Sequence, residues 1–262
     1  MLDFEIPHPA RMYDYWLGGK TNFDADRQAA DAVSAVIPSI AATARGNRDF
    51  VQRAATAVVR AGVTQFLDIG TGIPTSPNLH EVARAANPAA RVAYLDNDPL
   101  VQAHARALLA SPRGGTSFLA GDLRDPQGIL EAVREEGALD LDRPVALVLC
   151  AVLHFLTDQD RPLDLVRVLM DALAPGSYLV ASHATGDFAS AADLERLVGL
   201  YEELGITGQT RTRDEFARFF DGLALLSPGI VPVQSWRPSA TADCAAEAAV
   251  LVPCYGALAR KA

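Results

Sequence analysis

Residues 66–72, Phe-Leu-Asp-Ile-Gly-Thr-Gly, read as an apolar strand that ends in an acid and turns through two glycines one residue apart. No other stretch limits the fold as strongly. A chain that leaves a strand at Asp68 and turns through Gly70 and Gly72 bares backbone N–H groups with no Cβ in the way. A nucleotide-like ligand can lie against such a turn. A pyrophosphate-binding turn wants a third glycine three residues after Gly72 and no acid ahead of it. Pro74 and Thr75 stand there instead, and Asp68 would repel a pyrophosphate. The acid-first form suits a ligand that carries an amino group. The plain alternative for Asp68 is a cap on the following helix.

Three further apolar runs repeat the pattern. Residues 91–96 end in Asp96, residues 116–122 end in Gly121 and Asp122, and residues 144–150 run without a polar break to Cys150. An uninterrupted apolar run is what a strand covered on both faces requires. Helical stretches separate the four runs, so the pattern predicts an α/β fold: a doubly wound, mostly parallel sheet of seven strands with an N-terminal helical cap. Ligands of such sheets bind along the carboxyl edge. Residues 1–30 show aromatic and polar residues without clean periodicity until a helix begins near Asp24. The helix from Ile40 to Ala61 is expected to break near Gly46. One domain spans residues 1–262, with 1–60 as cap and lead-in helices and 61–262 as core carrying a helical insertion at about 189–222.

Taken together, the chain resembles the class I S-adenosylmethionine-dependent methyltransferases. Asp68, Gly70, Thr71 and Gly72 look like their first motif, Asp96 their second, Gly121 and Asp122 their third, and residues 150–155 their fourth. The N-terminal Pro9-Ala-Arg-Met-Tyr-Asp-Tyr-Trp-Leu-Gly-Gly-Lys20, with Asn22, Phe23 and Asp26, is similar to an actinobacterial family of candidate methyltransferases long carried as a domain of unknown function. The likeness runs nearly end to end. It implies S-adenosylmethionine as cofactor and a last strand, residues 254–260, inserted antiparallel beside strand six, and it names no acceptor.

Bulk properties narrow the partners. A net charge of −9 argues against a nucleic-acid backbone as substrate. No apolar run reaches the roughly 20 residues a membrane helix needs, and the N-terminus lacks a signal-peptide pattern. Three cysteines, Cys150, Cys244 and Cys254, show no metal-ligand spacing, so no metal is expected. The expectation is a cytoplasmic enzyme acting on a small molecule.

Each candidate residue has a role and an alternative. Asp96 can accept from both ribose hydroxyls, with Asn97 beside it, while Asp98 before Pro99 reads as a helix cap. Asp122 can accept from the adenine amino group with the Leu123 N–H facing a ring nitrogen, or it is a turn aspartate. Cys150 and Ala151 lie where the methyl end would pass. Cys150 also reads as a small core residue. His154 falls at the acceptor side, either as a general base, with an unperturbed pKa near 6.5, or as a structural imidazole. Arg48 can take the cofactor carboxylate in two parallel bonds, or it is a solvated helix arginine. Arg11, Tyr13, Tyr15 and Trp16 can form a lid over the sulfonium or adenine, Arg11 and Tyr15 touching the ligand, or they are packing residues. Two other classes stay open: a non-catalytic sensor binding the same cofactor, and a nucleotide-dependent oxidoreductase, which the missing glycine and Asp68 disfavour.

Overall fold

A computed structural model describes residues 4–109, 115–238 and 253–262. The sheet is built from β1 (Gln65–Ile69), β2 (Arg91–Asp96), β3 (Thr116–Ala120), β4 (Ala146–Cys150), β5 (Tyr178–Ala184), β6 (Ala224–Leu225), β7 (Val231–Pro232) and β8 (Cys254–Arg260). Its order is β3-β2-β1-β4-β5-β8-β6, with β7 pairing β8. The first five strands run parallel, and β8 inserts antiparallel between β5 and β6. The doubly wound α/β sheet is therefore as the sequence predicts, with one more strand than expected. The short β7 falls in a proline-marked stretch that carries almost no strand signal. Residues 239–252, with Cys244, lie outside the described residues.

Alternation explains why both faces are covered. On β1, Leu67 and Ile69 enter one apolar cluster with Leu95, Leu147, Leu149 and Leu179, whereas Phe66 enters the other with Val92, Val148 and Val180. Side chains along a strand point to opposite faces. Helices α6 (Pro126–Glu135) and α7 (Pro162–Asp171) cover the first face through Ile129, Leu130, Val166 and Leu169, and α3 (Ile40–Arg60) covers the second through Phe50, Ala54 and Val58. The fully buried Trp236 closes that side edge-on to Phe50, their ring centroids 5.5 Å apart.

Helix α3 runs through Gly46 without a break, a correction to the sequence expectation. One interior glycine costs about 1 kcal/mol, which the buried face of a 21-residue helix outweighs. A second difference lies upstream: residues 9–16 form a helix, α1 (Pro9–Trp16), started by Pro9. With α2 (Asp24–Val36) it makes the cap, whose apolar side holds Met12, Ala29, Ala30 and Val33. Tyr15, Trp16, Phe155 and Tyr201 pack on that cluster, Tyr201 coming from α8 (Ala191–Glu203) in the helical insertion. Cap and insertion thus meet over the turn that follows β4.

Candidate functional site

The strand order reverses between β1 and β4, and the polar strand ends gather there. Gly70 and Gly72 adopt φ of +72° and +65°, a region that L side chains rarely enter. The two glycines serve different ends. A Cβ on Gly70 would sit 2.5 Å from Val152 Cγ2, so its missing side chain makes room for β4's loop. A Cβ on Gly72 would meet nothing within 4 Å. Gly72 therefore faces open space, and this is where a ligand can approach the backbone.

Two carboxylates flank that opening. Asp68 takes one side-chain hydrogen bond, from Thr71 Oγ1 at 3.3 Å. Burial pushes its carboxyl up to about 7, against the lowering effect of the Arg48 guanidinium and the Thr71 bond, with Asp96 adding to the rise. Asp96, 6% exposed, accepts from the Gly72 N–H at 2.8 Å and from the Asp98 N–H at 2.9 Å. Burial raises its pKa as well, partly offset by those two bonds. Each oxygen keeps a lone pair for a further donor. Asp98 caps α5 (Pro99–Leu109) through the Leu100 N–H at 2.7 Å, as the Asp-Pro pair predicts.

The third strand end is tied to the second. Asn97 Nδ2 donates to Asp122 Oδ2 at 2.9 Å, and the Arg124 N–H donates to Asp122 Oδ1 at 2.8 Å. Gly121 is a glycine for packing, since a Cβ there would lie 3.0 Å from Leu95 Cδ1. The Leu123 side chain is buried in the core. Across the opening, Arg48 donates to the Thr75 and Pro77 carbonyls, the latter at 3.1 Å, and so braces the loop after Gly72.

At the end of β4, Cys150 is half-buried, its thiol pushed well above the ordinary range by burial. Ala151 follows at φ +56°, its N–H held by Ser182 Oγ at 2.9 Å. From there a buried chain of bonds leads away: Ser182 Oγ donates to Asn47 Oδ1 at 2.6 Å, Asn47 Nδ2 to Tyr13 Oη at 3.0 Å, and Tyr13 Oη to the Ala44 carbonyl at 2.9 Å. Tyr13 is thus the lid aromatic that reaches the sheet. Tyr15 instead donates to Asp31 Oδ1 at 3.1 Å on α2. Arg11 is buried against Asp26 at 3.1 Å, with its ring-face contact to Phe23 at 5.5 Å. Both side chains are held by partners within the cap.

His154 sits in the turn after β4 with Nδ1 buried and without a partner among the described residues. Burial, and secondarily the Arg211 charge, lower its pKa to about 4, so the imidazole is neutral at pH 7. Two residues near the site carry no sequence signal of their own. His8 Nδ1 lies 3.0 Å from Asp98 Oδ2 and docks the start of α1 beside the Asp96 strand end. Arg211 is 4% exposed between His183 and the β4 turn. Among the described residues no group of three or more His, Cys, Asp or Glu gathers as a metal site, and no helix is long and apolar enough to cross a membrane.

Residues 1–262 match the S-adenosyl methyltransferase family. The chain belongs to this family. A family protein of unknown function (DUF574) from Streptomyces avermitilis is 44% identical over 99% of both chains, with a TM-score of 0.92. A candidate methyltransferase from Thermobifida fusca is 38% identical over 99% of this chain and 96% of its own, with a TM-score of 0.88. The human N-acetylserotonin methyltransferase solved with S-adenosylmethionine is 17% identical over 98% of this chain and 63% of its own, with a TM-score of 0.52, and shares the fold alone. No curated protein matches the chain.

Proposed function

We propose that this methyltransferase moves the methyl group of S-adenosylmethionine to a small-molecule acceptor held beyond the turn of residues 151–155. The observation that carries the reading is the open face of Gly72 set between the half-buried Asp68 and the buried Asp96 of adjacent strands. The residues fit the cofactor. Asp96 would accept from the ribose hydroxyls, and Asp122 with the Leu123 N–H would hold the adenine edge beside Asn97. Asp68 has a carboxyl that burial disfavours as an anion, and an ammonium group is the partner that would stabilise it. Arg48 on α3, 3.1 Å from the Pro77 carbonyl of the loop after Gly72, would take the carboxylate of that end. Bound there, S-adenosylmethionine supplies an electrophilic methyl group. Ala151 and His154 would border the methyl side, with the cap and α8 excluding water through Trp16, Phe155 and Tyr201.

Position rather than proton transfer is the larger share of what these residues offer. An imidazole with a pKa near 4 is a weak base at neutral pH, so His154 better suits accepting a hydrogen bond from the acceptor than removing its proton. Arg11 and Tyr15 support the lid from within. Calorimetry with S-adenosylmethionine and with NAD tests the cofactor: binding of NAD instead would return the oxidoreductase reading. Release of S-adenosylhomocysteine on mixing with a metabolite extract tests turnover, and binding without release would make the protein a sensor.

A further inference from the structure

A one-way chain of hydrogen bonds holds the turn that follows β4. Ala151 stands at φ +56°, a left-handed conformation that a Cβ disfavours and that persists only where the surroundings fix it. Its N–H donates to Ser182 Oγ on β5 at 2.9 Å. A serine hydroxyl carries one proton, and Ser182 gives it to Asn47 Oδ1 at 2.6 Å, which leaves its lone pairs for Ala151. Asn47 Nδ2 donates in turn to Tyr13 Oη at 3.0 Å, and Tyr13 Oη donates to the Ala44 carbonyl at 2.9 Å. Ser182 is 0% and Asn47 4% exposed, so no solvent stands ready to replace a lost partner.

The turn that this chain fixes leans on the cofactor loop. A Cβ on Gly70 would lie 2.5 Å from Val152 Cγ2, so the residue after Ala151 packs directly on the first glycine of the turn after β1. A return of Ala151 to negative φ would redirect the backbone just before Val152 and lift that contact. Asn47 also neighbours Arg48 on α3, the residue that braces the loop after Gly72 from the other side. We propose that Ser182 is a positioning residue for cofactor binding, an inference that rests on the cofactor reading above. Through its bond to Ala151 it holds the left-handed turn that seats Val152 on Gly70, and Asn47 and Tyr13 hold Ser182 in the state that accepts that bond. Without the hydroxyl the left-handed turn becomes a minor conformation, and affinity falls by the fraction of molecules that still adopt it.

The test is calorimetry with S-adenosylmethionine on four proteins: the parent, Ser182→Ala, Ala151→Gly and the double variant. Glycine enters the left-handed region without penalty and has no need of the bond. Ser182→Ala should therefore weaken binding about tenfold where residue 151 is alanine, and about threefold at most where it is glycine. Equal losses in the two backgrounds would overturn the proposal, as would a folded Ser182→Ala protein that binds like the parent. A serine that only adds stability would shift unfolding and leave the affinity of the folded protein alone. Should Ser182→Ala not fold, Tyr13→Phe cuts the chain at its far end by removing one hydroxyl from the cap, and the same comparison, judged by the same rule, is made with it. A second readout needs neither ligand nor variant: the Ala151 amide of the unliganded parent should exchange slowly with deuterium, and exchange as fast as an open loop would overturn the proposal. A parent that binds no S-adenosylmethionine would instead remove the cofactor reading, and the role of Ser182 in binding with it.

Discussion

Asp68 offers a prediction that needs no knowledge of the acceptor. Its carboxyl titrates near 7 in the unliganded protein because burial disfavours the charge. If the ammonium end of the cofactor binds the ionised form, each pH unit below 7 should weaken apparent affinity about tenfold, or roughly 1.4 kcal/mol. About half of the Asp68 carboxyls are ionised at pH 7.0 and about 3% at pH 5.5, so affinity should fall about fifteenfold between them. Both values lie below the range where an α-amino group loses its proton, about 7.7–8.0. The assay is calorimetry in buffers of different ionisation enthalpy, which should show close to one proton released per cofactor bound at pH 6.

The variant Asp68→Asn isolates the effect, since it mimics the protonated acid and should bind weakly with a flat pH profile. Stability gives the sign independently. Because the folded pKa lies above the unfolded value, the native state holds this proton more tightly, so Asp68 lowers stability as pH rises from about 4 to 7. Without ligand, Asp68→Asn should therefore gain on the parent at pH 7.5 and lose that advantage near pH 4. A binding enthalpy independent of buffer at pH 6 would refute the assignment of Asp68 to the ammonium end.

Asp96→Ala should weaken S-adenosylmethionine binding by about 1.5–3 kcal/mol, read by calorimetry, because it removes charge-assisted acceptors and also frees the Gly72 and Asp98 N–H groups. Gly70→Val should lose binding together with local order, since its Cβ would collide with Val152 at a φ that β-branched residues avoid; normal affinity in a folded variant would contradict this. Tyr13→Phe should cost about 1–3 kcal/mol of unfolding free energy by leaving buried Asn47 without its partner, measured by denaturant titration. Trp236→Ala should cost about 3–5 kcal/mol in the same assay without changing cofactor stoichiometry.

How much of this was legible in the sequence depends on the distance between partners. Strand ends were legible because Asp68, Asp96 and Asp122 each close an apolar run, and the cap at Asp98 because Pro99 follows it. The antiparallel insertion of residues 254–260 followed from resemblance. Helix α1 was hidden by its buried charges: Arg11 and Asp14 interrupt the apolar face, and partners outside the helix, among them Asp26, Thr21 and Asn22, meet them. Arg211 reads in sequence as one more cation of a polar loop. Its partners at 153, 156, 158 and 183 are 28 to 58 residues away, a separation that no local pattern records.

The same separation explains why cap and site belong to one argument about binding. A non-glycine residue held at positive φ, like Ala151, costs of order 1–3 kcal/mol and persists only where its surroundings over-determine it. Here the determining bond comes from Ser182, which is oriented by Asn47, which is oriented by Tyr13 on α1. At the β2 strand end His8, one residue before α1, meets Asp98, two residues from Asp96. One short helix therefore contacts both ends of the opening through separate polar routes. Loss of residues 1–23 would remove Tyr13 and His8 together, leaving Asn47 and Asp98 without those partners in the strand-end region. A cap of apolar packing alone would need neither connection, and the cost of removing it would fall on stability without reaching the cofactor.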